Sequence, residues 1–327
     1  MKALTDMIES IATPAGGSNI GRPESQRNRP SLHQRRRRRA VKRTIAAYAF
    51  LAPGLVLYLV FVVRPTIELF GMSVVDWNGL SPIREFVGFD NFARLFIDPI
   101  FWRSFGNNLF FLSILVTFNV MLGLVTASAL ARVGKGRLIF QLIFFLPVVQ
   151  ASIVTALVWK WIYNPDGLAN AVLSAIGLDS ITRGWLGDPS TALAALALAA
   201  AWAGFGLSVV IFLAGIQGID HSLYDAAKVD GANTVQTFVN VTVPQLRPVI
   251  TVVLLLEIIG GFQTFDIIWA TNRGGPVGST EVLATYMFKR GFTNADFGYG
   301  AAIAVAFMVI VLIAAVISIV IRERNDD

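Results

Sequence analysis

Apolar residues along this chain fall in blocks of about twenty, separated by polar stretches, which is the pattern of a chain that crosses a membrane repeatedly. Six blocks qualify: 44–63, 109–131, 138–159, 191–216, 249–270 and 299–321. A twenty-residue block is about 30 Å long as a helix, enough to span a bilayer core. Arg64-Pro65 closes the first, although its helix can continue to Val75. Pro147 lies inside the third, and its missing N–H predicts a kink or a shift in packing there. The first half of the fourth is nearly all Ala and Leu, so neighbouring helices can approach closely. Residues 1–43 are polar and rich in Arg, Pro and Ser, and disorder is expected for them. Between the third and fourth blocks, Asn164-Pro165-Asp166-Gly167 reads as a turn and 169–176 as a short helix.

One polar island, 217–247, has its own internal order. Asp220 can cap a helix start, because its carboxylate accepts from N–H groups of the first turn. A short helix should run from His221 to Asp230, and Gly231 suits the left-handed residue that ends such a helix. A second short helix is expected from Thr234 to Thr242. Pro244 lacks an N–H, so it is placed in the first turn of the next membrane helix.

Tyr224-Asp225-Ala226-Ala227, with Gly231 and Pro244 at their spacings, resembles the EAA loop of permease subunits from ATP-binding-cassette importers. Asp225 stands where that family usually has Glu, and His221 where sugar permeases often have Pro. Other stretches are similar to sugar permeases as well: Phe86 to Phe92, Asp98 to Phe101, Phe262-Gln263 with Phe265-Asp266, and Thr271 to Pro276 followed by Ser279-Thr280. The last of these has one residue more than usual before Gly274. The resemblance covers about residues 45 to 321. It implies an all-α membrane protein of the type I importer kind, with six transmembrane helices and a cytoplasmic coupling helix, in a bacterial cytoplasmic membrane.

It also implies a role for the loop. Leu223, Tyr224, Asp225, Ala226, Ala227, Asp230, Gly231 and Pro244 would couple the permease to an ATPase, the two small alanines letting another surface approach. The implied partners are a second, homologous permease, two ATP-binding-cassette ATPase subunits and an extracytoplasmic solute-binding protein. ATP and Mg would be used by the ATPase subunits, with no cofactor in this chain. The cargo implied is a sugar or oligosaccharide. A polyol or glycerol-phosphate importer of the same superfamily is the alternative.

An ionisable residue inside a span is expensive and points to function. Glu257, Gly260, Gly261 and Thr264 recur at helical spacing and would share one face. In a sugar pathway such a face offers a carboxylate acceptor and glycines that admit a ring close to the backbone. Trp202 and Gly204 fall near where maltose-type permeases contact substrate, counted back from the EAA-like motif. The rival reading is structural, with glycines packing helices and Glu257 bonding to the partner permease. Asp266, near the outer end, is assigned to an outer gate or to the binding-protein contact.

Composition narrows the classes. The chain is 55% hydrophobic and 15% charged, where a soluble domain carries nearer 25% charged residues. It has no Cys and two His, which argues against disulfides, thiolate chemistry and a multi-His metal site. No glycine-rich phosphate loop and no nucleophile elbow is present, so neither ATP binding of that kind nor catalysis is expected, and there are no candidate catalytic or metal-binding residues. With both termini in the cytoplasm, 18 of the 27 Lys and Arg lie inside and 9 outside, in the sense of the positive-inside rule. Without the arm the split is 7 to 9, and the EAA-like loop, which must face cytosolic ATPases, then fixes the orientation. Arg35 to Arg39 is an unbroken basic run before the first span. A nucleic-acid tail or a lipid-binding strip would look similar, but a topology signal accounts for it and for the spans together. A stand-alone secondary transporter would be expected to carry an inverted repeat, which is not evident.

Overall fold

A computed structural model describes residues 47–326, with side chains through residue 320. The basic arm 1–43 lies outside the described residues. Among the described residues five helices are long and apolar enough to cross a membrane, or six when one sharply bent pair counts as a single span.

The first, α1 (Ala47–Ser73), is longer than its apolar block. A π turn at Leu59–Val63 shifts the hydrogen-bond ladder just before Pro65, so the missing N–H does not end the helix. A two-stranded antiparallel ribbon follows, β1 (Val75–Asp76) with β2 (Glu85–Phe86), Val75 opposite Phe86. Then come α2 (Asp90–Ile97) and α3 (Pro99–Arg132). Helix α3 starts ten residues before the apolar block at 109. Asp98 caps it, its Oδ1 accepting from the Ile100 N–H at 2.8 Å, and Pro99 occupies the first turn, where no N–H is missed. Asn107 and Asn108 therefore lie inside the helix.

The third block is not one helix. Helix α4 (Arg137–Val149) tightens into a 3-10 turn at Leu146–Val149 and stops at Gln150. Helix α5 (Ser152–Ile162) then leaves at 98°. The expected kink at Pro147 is a full break. After α6 (Leu168–Ala175) comes α7 (Ala192–Gln217), the most buried of the apolar helices. The loop helices are α8 (His221–Val229) and α9 (234–245), the latter an α turn, a π turn at Phe238–Thr242 and a last short turn, Val243–Gln245. Pro244 lies in that last turn. It does not open the next span, which begins at Arg247 with Pro248 in its first turn. The span is α10 (Arg247–Phe262), interrupted at Gln263–Phe265 and resumed as α11 (Asp266–Thr271). Helices α12 (Leu283–Phe288) and α13 (Phe297–Asp326) end the chain, and α13 continues as helix through the charged residues beyond 321.

Helix α7 is the centre, packed against α3, α4, α5 and α10. Within a bilayer there is little hydrophobic drive between helices, so association rests on close packing of small residues. Gly206 of α7 is the tightest point: a Cβ there would lie against the Phe144 carbonyl and 2.8 Å from the Phe145 Cα. Two buried clusters flank this crossing. One gathers Phe111, Leu196, Ala199 and Ile268, the other Leu124, Val209, Phe212 and Leu246.

Polar ties hold the end of the fold that carries α12. The Asn108 side chain accepts from the Leu283 N–H at 2.9 Å and donates to the Gly261 carbonyl at 3.4 Å. Asn107 donates to the Glu281 carbonyl at 2.7 Å. Asp98 Oδ2 accepts from the hydroxyls of Tyr286 and of Tyr299, the latter at 2.5 Å. Burial works to raise the Asp98 pKa, but these two phenols and the Ile100 and Phe101 backbone outweigh it and hold the carboxyl below its ordinary value.

Candidate functional site

Two places carry the sequence-predicted residues. The first is a cavity of about 320 Å³ where the two broken spans meet α7. Its walls are the α4–α5 break (Pro147, Val148, Gln150, Ser152), the middle of α7 (Ala200, Ala203, Gly204) and the α10–α11 break (Gly260, Gln263 to Ile267). Backbone at membrane depth leaves helical form where it lines a cavity or is buried in protein, because its N–H and C=O groups then find partners other than lipid. Among the lining side chains, the Gln150 amide nitrogen and the Thr155 hydroxyl are buried without a hydrogen-bond partner. Native buried polar atoms are nearly always paired, so these two are placed for a ligand or for water. Among the described residues Asp266 is the one acid in the lining, and no Lys or Arg lines it.

The predicted face Glu257, Gly260, Gly261 and Thr264 is divided by the packing. Gly260 and Thr264 line the cavity. Gly261 is turned away, where a Cβ would sit 2.9 Å from Leu112 Cδ1, so it serves the α3–α10 crossing. Glu257 does not line the cavity: its Oε1 accepts from the Ser208 hydroxyl at 3.2 Å, and Asn119 reaches the same carboxylate. Residues three and four apart straddle a helix face about 100° wide, and here α3 and α7 take its flank. Gly204 lines the cavity, whereas Trp202 lies edge-on against Trp159 with centroids 5.6 Å apart. Sequence reasoning missed Gln150, Ser152, Thr155 and Gln263. The available signal was polar residues shortly after Pro147 and after the Gly260-Gly261 pair, each inside an otherwise apolar run.

The second place is α8. Asp220 caps it, Oδ1 accepting from the Ser222 N–H at 2.9 Å, and that bond lowers the carboxyl's pKa. At the other end Gly231 has φ +74°, its N–H bonds the Lys228 carbonyl at 3.1 Å, and the Ala232 N–H bonds the Ala227 carbonyl at 2.9 Å. That pair of bonds is the Schellman closure, which requires a left-handed residue at Gly231. Tyr224 faces inward: its hydroxyl lies 3.2 Å from Thr242 Oγ1, and its ring packs on the cluster around Phe212 and Leu246. Ala227 is buried beneath it. The free face shows Leu223, Asp225, Ala226, Val229 and Asp230. Tyr224 and Ala227 thus anchor α8 to its own chain, and of the two alanines only Ala226 is left at the surface. Val229, 88% exposed, was missed. Asp225 pairs with Lys228 at 2.8 Å, and this hydrogen bond and charge lower its pKa. Both side chains are exposed, so the pair adds little stability.

Residues 119–322 match the family model described as "Binding-protein-dependent transport system inner membrane component". The chain is 39% identical over 271 residues to the probable ABC transporter permease protein YurN of Bacillus subtilis, covering 82% of this chain and 92% of that protein. It is 32% identical to the diacetylchitobiose uptake system permease protein NgcF of Streptomyces coelicolor, over 97% of this chain and 92% of that one. Among solved structures it resembles a chain of the bacterial alginate ABC transporter in complex with alginate pentasaccharide-bound periplasmic protein. That match has a TM-score of 0.73 and 26% identity, and covers 86% of this chain and 94% of that one.

Proposed function

The chain belongs to the family of binding-protein-dependent transport system inner membrane components, and from that membership we propose that it is the permease subunit of an ATP-driven sugar or oligosaccharide importer. Members of this family are transport components, not enzymes, and the chain is membrane-embedded. The observation that carries the cargo reading is the cavity at the two helix breaks. It offers an unpartnered amide and an unpartnered hydroxyl, one carboxylate and no cation. Such a lining suits a neutral, polyhydroxylated solute, since sugar hydroxyls both donate and accept. A phosphorylated solute would call for Lys or Arg, which disfavours the glycerol-phosphate alternative.

In this proposal the solute comes from an extracytoplasmic binding protein, and a second, similar permease closes the other half of the pathway. Two ATPase subunits, using ATP and Mg, meet the free face of α8 on the cytoplasmic side, with both chain termini on that side. Asp225 pairs through Oδ1 with its own Lys228, which competes with an ATPase cation for the exposed carboxylate. Closure of the ATPases then moves α8, which Tyr224 and Thr242 tie to α9 and the cluster beneath. A rigid helix anchored this way transmits displacement to the spans, and solute access switches between the two faces.

The test is uptake by the full complex in proteoliposomes, with its binding protein and a panel of labelled mono- and oligosaccharides. One panel member should be taken up with ATP inside, and Thr155→Val or Gln150→Leu should cut that uptake while the ATPases stay attached. Uptake that needs an ion gradient and no ATP would refute the reading.

A further inference from the structure

A second cavity, of about 580 Å³, lies behind α8. Its walls are the ends of α3 and α7, the start of α4, and the inner sides of α8 and α9. Arg132 and Arg137 come from either side of the α3–α4 turn, and Lys228 and His221 from α8. Ser128 and Thr237 add hydroxyls, and among the described residues no Asp or Glu lines the space. Among the described residues neither Arg132 nor Arg137 has a carboxylate partner, and Lys228 is engaged only through exposed Asp225. Two guanidiniums without a carboxylate partner face one space beside Lys228, and an anion between them would offset their mutual repulsion. Planar guanidiniums match phosphate oxygens in a bidentate way. The cavity also opens at the ends of two spans, where Ala131 and Ile216 give it an apolar side.

We propose that this cavity binds a phosphate-bearing ligand, the headgroup of an anionic phospholipid or a soluble phosphate ester, that ties α8 to the ends of α3, α4 and α7. This rests on the proposed role of α8 for its consequence but not for the binding itself. With the anion in place, the charges of the turn and of α8 hold together and the lever is stiff. Without it they push α8 away from the spans.

The experiment uses the whole purified complex and native mass spectrometry. Wild type and three variants, Arg132→Gln/Arg137→Gln, Arg132→Lys/Arg137→Lys and Lys135→Gln, are incubated with phosphatidylglycerol, phosphatidylcholine or glycerol 3-phosphate. Lys135 belongs to the same turn and carries the same charge, but does not line the cavity. Each lining Arg is expected to contribute about fivefold to retention, on the order of 1 kcal/mol, so the double Gln variant should lose about 25-fold. The Lys pair, which keeps the charge but not the bidentate fork, should lose less than the Gln pair, and Lys135→Gln should retain most of it. Retention of phosphatidylglycerol over phosphatidylcholine assigns the lipid as source, and retention of glycerol 3-phosphate alone assigns a soluble ester. Equal loss in Lys135→Gln, or no loss in the double Gln variant, overturns the site. The ATPase subunits are weighed in the same spectra. Their absence would refute the importer reading while leaving the phosphate result to stand or fall by itself.

Discussion

Gly231 is the position at which a one-residue change should separate the lever from its ATPase. Its φ of +74° closes α8, and a Cβ there would meet nothing within 4 Å. The cost of substitution is therefore backbone strain alone, with no packing clash to confuse it. For Ala in the left-handed region that is roughly 1–2 kcal/mol, or about five- to thirtyfold in the population of the closed helix end. Asn tolerates this region and should cost less. Pro is worse on two counts: its φ is fixed near −65°, and it removes the N–H that bonds the Lys228 carbonyl, for on the order of 3 kcal/mol or more. The assay is co-purification of the tagged chain in mild detergent, with the ATPase quantified against the second permease, which serves as an internal standard. ATPase retention should fall in the order wild type, Asn, Ala, Pro, with the permease pair kept throughout. If Gly231→Pro retains its ATPase at the wild-type ratio, α8 is not the contact and the lever argument fails.

Two further outcomes follow from packing and charge. Gly206→Ala should force α7 off the α4 backbone and destabilise the complex by about 1–3 kcal/mol, seen as a lower melting temperature. Gly260→Ala, where a Cβ meets nothing within 4 Å, should leave melting unchanged and alter only uptake; the reverse pattern would contradict the assigned packing. Asp98→Asn removes the charge from two phenol hydrogen bonds, each worth roughly 1.5–3 kcal/mol. Because the folded pKa of Asp98 is depressed, its contribution is complete above the ordinary value of 3.8 and is lost as pH falls from there through the folded value. The difference in melting temperature between wild type and Asp98→Asn should therefore be constant near neutrality and shrink below about pH 4; a difference that grows on acidification would refute it.

The local features were legible wherever a residue's own chemistry decides its conformation. Asp220 as a cap and Gly231 as a left-handed terminator need only the nearest turn, and both stand where the sequence placed them. Helix ends were less legible. Pro99 opens α3 well before the apolar block, since polar residues such as Asn107 and Asn108 find partners on α10 and near α12 that no local pattern reveals. Pro244 and Pro248 are equivalent as signals, and the structure places Pro244 in the last turn of α9 and Pro248 in the first turn of the span.

The sequence by itself determined the apolar blocks, the polar loop between the fourth and fifth, and the absence of cysteine chemistry. These depend on composition and on residues a few positions apart. Tertiary structure decided which of the polar residues within the spans face one another. Gln150 and Gln263 are more than a hundred residues apart, and they share a cavity because two helices break at the same level beside α7. Periodicity gave Glu257, Gly260, Gly261 and Thr264 one face, but α3 and α7 claimed part of it. Spacing fixes direction around a helix, whereas the neighbours that arrive from elsewhere in the chain determine what each direction meets.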